Sequence, residues 1–131
     1  MIQINPYTNS RPIILTTLSL TGGKPFPLLK GLIDSGAGIT AVSKRHLKNI
    51  GVDLSKPDGE KQITDASGTT QNLPFYFIDI ELGDRLLIKQ QFPVICSQKD
   101  YKEVDLLIGM DILEDCLVIL NGKAQVYTIA T

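Results

Sequence analysis

Short aliphatic and β-branched segments, separated by glycine, proline and asparagine, run along most of this 131-residue sequence. Segments 12–20 and 28–34 flank the turn-forming stretch TGGKPFP, an arrangement that predicts a β-hairpin. Residues 63–92 predict a meander with a tight two-residue turn at Gly83-Asp84, and Asn121-Gly122 predicts a further hairpin. Because hairpins build antiparallel sheet, we expect a mainly β domain with about eight strands.

Two segments carry helical signals between the strands. The segment from Ser43 to Ile50 predicts a short helix that Ser43 can cap and that ends at Gly51. Leu47 and Ile50 share one face of this helix, which should be buried. The segment VDLLIGMDIL (104–113) predicts a buried strand, a glycine and about one turn of helix. We therefore expect one or two short helices beside the sheet.

Length and charge exclude several classes of function. The chain has the size of one domain, so residues 1–131 are expected to form a single unit. Its 13 basic and 14 acidic residues give a net charge of −1, which predicts neither a nucleic-acid partner nor an anionic membrane partner. No apolar run approaches the roughly 20 residues of a membrane span. Because MIQINPYTNS lacks the features of a secretory signal, a cytoplasmic location is expected.

The cysteines and the single histidine suggest no site of their own. Cys96 and Cys116 lie twenty residues apart without a CxxC pair, so we expect two reduced, half-buried thiols and no zinc site. His46 lies in the charged segment SKRHLKN, which predicts an exposed helix face. An exposed histidine at this position would leave no partner for a Ser-His-Asp arrangement.

The loop LIDSGAGITAV (32–42) admits two interpretations. Gly36-x-Gly38-x-x-Ala41 matches the opening of a dinucleotide-binding unit between a predicted strand and a predicted helix. That unit needs a parallel sheet fed by crossover helices, whereas hairpins follow here, so this interpretation is disfavoured. A serine-hydrolase elbow would need glycine at the position of Ile33. The other interpretation makes Asp34 the functional residue of the loop.

Three motifs in a fixed order support the aspartate interpretation. Asp34-Ser35-Gly36 follows apolar strand residues, a glycine-tipped hairpin spans 65–70, and Leu107-Ile108-Gly109 lies about seventy residues after the first motif. This order resembles the retropepsin family of aspartic proteases, and IGMD (108–111) is similar to its single-domain members outside viruses. The resemblance covers about residues 12–130 and implies a closed, retropepsin-like acid-protease barrel with a flap hairpin at about 62–74.

Two positions differ from the viral members of that family. Met110 stands where those enzymes commonly carry arginine after the last glycine. The hairpin tip has Asp65, Ala66 and Thr69 around Gly68, whereas viral tips are richer in glycine. The first difference bears on whether this chain forms an ion pair that is typical of the family. The second bears on how the flap closes over a substrate, and therefore on which substrates are chosen.

The resemblance implies an aspartic endopeptidase in which two carboxylates act on one water molecule. The ionised carboxylate takes a proton from the water, while the protonated one donates to the carbonyl oxygen of the peptide bond. Two carboxylates this close share a proton and titrate as a pair. Since the chain has a single D-S-G motif, the second Asp34 must come from a second copy, in a homodimer with two-fold symmetry.

The resemblance also implies roles for the neighbouring residues. The active-site loop contains Ser35, Gly36 and Ala37. A peptide substrate in extended conformation would be covered by the flap residues Asp65, Ala66, Ser67, Gly68 and Thr69. The structural motif consists of Ile108, Gly109 and Asp111, with Asp111 expected as an acid at the start of the second helix. No metal and no other cofactor is implied.

Two alternatives stay open at this point. The chain could be a catalytically silent module that keeps the fold for dimerisation or peptide binding. The terminal segments MIQIN and VYTIA alternate enough to pair in a sheet between subunits, as in the viral enzymes, but ordinary edge strands fit them equally well.

Overall fold

Ten β-strands and two short helices make up the protein. The computed structural model describes residues 1–131, apart from the side chain of Pro27. The strands are β1 (Ile2–Pro6), β2 (Ile13–Ser19), β3 (Phe26–Ile33), β4 (Ala41–Ser43), β5 (Gly59–Thr64), β6 (Thr70–Leu82), β7 (Leu87–Ser97), β8 (Leu106–Ile108), β9 (Leu117–Asn121) and β10 (Val126–Ala130). The helices are α1 (Lys44–Asn49) and α2 (Met110–Leu113).

Six of the strands close into a barrel, as the sequence predicted. Their order is β2-β3-β8-β4-β7-β6, and β6 pairs with β2 to complete the ring. Strand β5 lies outside the ring and pairs with β6. The hairpins β2–β3, β5–β6 and β6–β7 are antiparallel as expected. Two pairings are parallel instead, β3 with β8 and β4 with β7.

The core lies inside the barrel and follows the two-residue period of its strands. Along β6, Tyr76, Ile78, Ile80 and Leu82 all point inward and are at most 4% exposed. Other fully buried side chains come from distant parts of the sequence; they include Leu18, Val42, Leu47, Val94, Leu106, Ile108, Ile112, Tyr127 and Ile129. These side chains form one continuous core, which includes residues of the barrel strands, of both helices and of β10.

Both predicted hairpin turns are present, but the turns are longer than expected. The prediction of a two-residue turn at Gly83-Asp84 is wrong, because Leu82 pairs with Leu87 and four residues lie between them. The longer turn lets Leu86 reach the core, where it is 5% exposed. After Asn121 the next paired residue is Val126. The Asn121 side chain stabilises this turn by accepting a hydrogen bond from the backbone N–H of Ala124 at 2.9 Å.

Helix α1 ends as the sequence predicted but begins differently. Gly51 has a φ of 97°, and Val52 N–H donates to the Leu47 carbonyl at 3.0 Å, which is the bonding pattern of a glycine-terminated helix. Ser43 occupies the N-cap position without a side-chain capping bond. Its hydroxyl is buried and has no hydrogen-bond partner within the described part of the chain.

The prediction that His46 is exposed is wrong. His46 is 6% exposed, and its Nε2 lies 2.9 Å from Oδ1 of Asp105. The second carboxylate oxygen of Asp105 accepts the backbone N–H of Lys30 at 2.7 Å. His46 and Leu47 form the buried side of α1, so the imidazole packs against the carboxylate of Asp105, the residue before β8.

The terminal segments form a separate three-stranded antiparallel sheet within one chain. Its order is β1-β10-β9, with Ile2 opposite Ala130 and Pro6 opposite Val126. The two terminal segments thus pair with each other. VYTIA is the central strand of this sheet, while MIQIN is an edge strand.

Two smaller features complete the description. Cys96 and Cys116 are free thiols, the first buried and the second half-buried, and burial raises the pKa of both. Among the described residues, no helix has the length and apolar character required to cross a membrane.

The contacts of Asp105 give a testable prediction for stability. Asp105→Ala should lower the free energy of unfolding by about 1–3 kcal/mol, because the Lys30 N–H and the buried His46 imidazole both lose their acceptor. Urea unfolding followed by circular dichroism measures this difference. Glu60→Ala, at an exposed position of β5, is the control and should change stability by less than about 0.5 kcal/mol. Equal effects of both substitutions would contradict a supporting role for Asp105.

Candidate active site

Asp34 lies at the end of β3, in a tight loop whose backbone fixes its carboxylate. The Asp34 N–H donates to the Ile108 carbonyl at 3.0 Å, and the Asp34 carbonyl accepts the Ala37 N–H at 3.2 Å. The carboxylate oxygen Oδ1 accepts the N–H of Gly36 at 3.0 Å. A Cβ atom on Gly36 would approach that oxygen to 3.3 Å. A small residue after Ser35 therefore lets the backbone bind the carboxylate closely.

A second loop crosses the first and is bonded to it through the backbone. Met110 N–H donates to the Ala37 carbonyl at 2.7 Å, and Asp111 N–H donates to the Gly38 carbonyl at 3.2 Å. The crossing occurs at Gly109. A Cβ atom there would lie 2.7 Å from the carbonyl carbon of Ile39 and 2.9 Å from the Ala37 oxygen. Only glycine fits between β8 and α2, because the backbones touch at this point.

Thr40 and Asp111 join the two loops through their side chains. Both carboxylate oxygens of Asp111 lie 3.0 Å from the Thr40 N–H, and the Thr40 hydroxyl donates to Oδ1 at 2.7 Å. The same hydroxyl oxygen accepts the Gly109 N–H at 3.1 Å. Asp111 is thus in the first turn of α2, as the sequence predicted, but its carboxylate binds the other loop. Nothing in the sequence motifs indicated Thr40, which is fully buried.

The hairpin expected at about 62–74 is formed by β5, β6 and a tight turn between them. At the turn, Oδ1 of Asp65 accepts the N–H of Ser67 at 2.9 Å and the N–H of Thr69 at 3.0 Å. The Ser67 hydroxyl donates to the same oxygen at 2.6 Å. This hydroxyl has the largest effect and lowers the pKa of Asp65. Desolvation opposes it, and each of the two backbone N–H groups lowers the pKa by a smaller amount. Gly68 has a φ of 85°, which a tight turn of this kind requires.

A cleft of about 440 Å³ separates the Asp34 loop from this hairpin. Its lining comprises Gly36, Ala37, Gly38, Ile39, Ala41, Gln62, Ile63, Thr64, Asp65, Ala66, Ile95, Tyr101 and Leu107. The cleft therefore lies between the Asp34 loop and residues 62–66 of the hairpin. Ser67, Gly68 and Thr69, at the tip, are exposed and do not line it.

Tyr101 is a residue of this cleft that the sequence did not indicate. Its side chain is half-buried among the lining residues. Burial raises the pKa of the phenol, the Ser97 hydroxyl opposes this rise, and the negative charge of Asp34 adds to it. Tyr101 lines the cleft together with Gly36 and Ala37, which follow Asp34 in the loop. Tyr101 follows β7 in a loop without a motif, so only the fold brings it to the cleft.

Ser35 faces a different surface from the cleft. It lines an apolar groove of about 390 Å³ together with Ile33 of β3 and Met110 of α2. The other side of that groove comes from the segment that begins the terminal sheet, with Leu113, Cys116, Leu117, Val118 and Leu120. The Asp34 loop thus lies between the cleft on one side and an open apolar surface on the other.

The side chains around Asp34 offer a carboxylate rather than a metal site. Among the described residues, no group of three or more His, Cys, Asp and Glu side chains comes together as metal binding requires. What the loop presents is one half-buried carboxylate that accepts the Gly36 N–H beside the cleft. Such a group can accept a proton or a hydrogen bond from a molecule in the cleft.

Comparison with known proteins identifies the family. The model of the family described as "gag-polyprotein putative aspartyl protease" matches residues 22–115, from the β2–β3 turn to two residues past α2. The chain belongs to this family. The match includes the Asp34 loop, the β5–β6 hairpin and Gly109, so the retropepsin-like identity expected from the motifs is confirmed.

Solved structures show the same fold at low sequence identity. A retropepsin-like aspartic protease from Rickettsia conorii superposes with a TM-score of 0.66 at 14% identity, covering 98% of this chain and 90% of that one. The EIAV protease, in complex with the inhibitor HBY-793, superposes with a TM-score of 0.51 at 19% identity, covering 80% and 86% of the two chains. No curated protein matches the sequence.

The contact between Thr40 and Asp111 gives a testable prediction. Thr40→Val keeps the shape of the side chain but leaves the Gly109 N–H without its acceptor and the Asp111 carboxylate without its closest donor. We expect a loss of about 1–3 kcal/mol in the free energy of unfolding, measured by urea denaturation. Thr17→Val is the matched control on β2 and should change stability by less than about 0.5 kcal/mol. A stable Thr40→Val variant would show that the loops hold each other without this hydroxyl.

Proposed function

We propose that the protein is an aspartic endopeptidase that is active as a homodimer, with one Asp34 from each copy. The observation that carries this proposal is the Asp34 carboxylate, fixed by the Gly36 N–H beside a cleft that the β5–β6 hairpin covers. Membership of the aspartyl protease family supports it. One chain supplies a single such carboxylate, and water-mediated hydrolysis of an amide needs a base and an acid.

Paired Asp34 carboxylates would perform the reaction by exchanging protons with one water molecule. The ionised carboxylate removes a proton from the water as its oxygen attacks the peptide carbonyl carbon, and the protonated partner donates to the carbonyl oxygen. The tetrahedral intermediate then collapses with transfer of a proton to the leaving nitrogen. Each copy binds its carboxylate rigidly through the loop backbone, so the two groups need little reorganisation during the reaction.

The cleft fits an extended peptide. Gln62, Ile63 and Thr64 of β5 line it, and β5 pairs only with β6, so its outer edge is free to bond to a peptide backbone. In this arrangement the β5–β6 hairpin acts as a flap, with Asp65 and Ala66 nearest to the substrate. We assign Ser35, Gly36 and Ala37 to the active-site loop.

The walls of the cleft favour apolar substrate side chains. Ile39, Ile95 and Leu107 line it and would contact residues on either side of the cleaved bond, so cleavage between hydrophobic residues is expected. Tyr101 adds a phenol to the cleft, where it can stack on an apolar side chain or donate a hydrogen bond to the substrate backbone. Ile108, Gly109 and Asp111 support the loop from behind and do not contact the substrate.

Replacing the carboxylate of Asp34 tests the proposed function. Asp34→Asn keeps the size of the side chain but removes the base, so cleavage of a peptide library between about pH 4 and 7 should fall at least about a hundredfold. Mass spectrometry of the products measures the rate for each peptide. Asp84→Asn, in the exposed β6–β7 turn, is the control and should cleave like the wild type. Wild type and Asp34→Asn that behave identically would favour a catalytically silent peptide-binding module.

A further inference from the structure

Three cations lie together on the exposed side of α1. Lys44, Arg45 and Lys48 are all exposed, and none of them forms a salt bridge within the described part of the chain. The whole chain carries a net charge of −1, so this excess of positive charge is local. A local excess of one charge attracts groups of the opposite charge when it lines a concave surface.

The stability of α1 does not account for these charges. The helix runs from Lys44 to Asn49, so Lys44 and Arg45 are the first two residues of its first turn. Positive charge is unfavourable there, because the N-terminal end of the helix dipole is itself positive. Lys48, in the last turn, is the one cation that the dipole favours. Two of the three cations therefore lie where they destabilise the helix, which indicates a role outside it.

The same side chains line a groove of about 390 Å³. Gln98 and Asp100 line it from the loop after β7. We call this surface the basic groove, and its residues are Lys44, Arg45, Lys48, Asn49, Gln98 and Asp100. Three positive charges thus face one negative charge, and the two amide side chains add hydrogen-bond donors. Carboxylates are suitable ligands for such a lining.

The basic groove lies next to the cleft. Strands β4 and β7 pair in parallel, so both lead from the cleft to the groove. Ala41 and Ile95 pair with each other and line the cleft, whereas Lys44 and Gln98, three positions further along, line the groove. At about 3.3 Å per residue, the two sites are separated by roughly 10 Å. The loop after β7 then returns to the cleft at Tyr101. A peptide in the cleft can therefore reach the groove within a few residues.

We propose that the basic groove binds an acidic segment of the substrate and thereby selects which peptides are cleaved. A run of glutamate or aspartate a few positions from the cleaved bond would place its carboxylates against Lys44, Arg45 and Lys48. Arginine binds a carboxylate through two parallel N–H donors, and lysine binds it as a point charge. This role rests on the proposed function, since the groove selects substrates only if the cleft binds them.

The groove fits an acidic peptide better than a nucleic acid. Single-stranded nucleic acids bind where a basic groove also carries aromatic side chains on which the bases stack. Among the described residues that line the groove, none is aromatic. The carboxylate of Asp100 would also repel a continuous row of phosphates, whereas a peptide can place a neutral residue opposite it. The neighbouring cleft, with the free edge of β5, suits a peptide backbone as well.

Matched peptide tails test this role. A peptide that the protein cleaves is extended at either end by a Gly-Ser spacer and a run of glutamates, or by the same spacer and an equal run of glutamines. At low salt, the glutamate tail at one end should lower KM at least about fivefold relative to the glutamine tail, because each exposed ion pair strengthens binding about twofold. The value of kcat should stay unchanged, and about 0.5 M NaCl should remove the difference in KM.

Removing the three charges of the groove provides the decisive comparison. In Lys44→Gln/Arg45→Gln/Lys48→Gln, both tails should give the same KM, and an unchanged rate for the glutamine-tailed peptide shows that the variant is folded. The control removes three exposed lysines outside the groove and should keep the preference; it is Lys24→Gln/Lys56→Gln/Lys123→Gln. Equal KM values for both tails in the wild type, or a preference that survives in the groove variant, would overturn this role.

Direct binding separates this role from the proposed function. Fluorescence anisotropy of a labelled oligoglutamate peptide measures binding without cleavage, and the three groove substitutions should weaken this binding at least about fivefold. Binding that depends on the groove in a protein that cleaves no peptide would contradict the proposed function and leave the groove supported. Equal binding with and without the three cations would overturn the role of the groove, as would tighter binding of single-stranded DNA of the same charge.

Discussion

The contact of Thr40 with Asp111 is the interaction on which the site depends. The loop after β3 and the segment after β8 are about seventy residues apart in sequence, yet they cross with their backbones touching at Gly109. A crossing this close leaves several backbone N–H groups without water, so each needs an acceptor from the protein. The Asp111 carboxylate and the Thr40 hydroxyl supply these acceptors. The rigid position of Asp34 follows, because its loop is held at both ends by the same crossing.

The crossing separates two different surfaces of the domain. On one side, the Asp34 loop and the β5–β6 hairpin enclose the cleft with Tyr101. On the other side, Ser35 and Met110 line an apolar groove with Leu117, Val118 and Leu120. The chain contains a single D-S-G loop, and the lining of the groove beside it is uncharged.

Local patterns in the sequence were sufficient for most of the strands, for the hairpins and for the position of Asp34, but ten strands form where about eight were expected, and β4 was not predicted. Turn residues mark the hairpins because their backbone preferences act over two to four neighbouring positions. Gly109 was identified as part of the motif Leu107-Ile108-Gly109. The turn at Gly83 is longer than predicted because Leu86 packs into the core, which a local signal does not encode.

Long-range contacts account for what the sequence did not indicate. His46 was expected to be exposed because its neighbours are charged, but Asp105, fifty-nine positions away, accepts it in the interior. The parallel pairing of β3 with β8, the buried hydroxyl of Thr40 and the place of Tyr101 in the cleft also depend on the closed barrel. Each joins segments that are distant in the sequence, where residue pattern and spacing carry little information.

A titration of wild-type protein with Asp34→Asn protein at constant total concentration tests the central claim most directly. If the site needs one Asp34 from each of two copies, mixed dimers lack the base or the acid, and activity follows the square of the wild-type fraction. An equal mixture that has exchanged subunits should then keep about a quarter of the wild-type rate. A rate of about one half, proportional to the wild-type fraction, would show that each chain acts alone and would contradict a site shared between two copies.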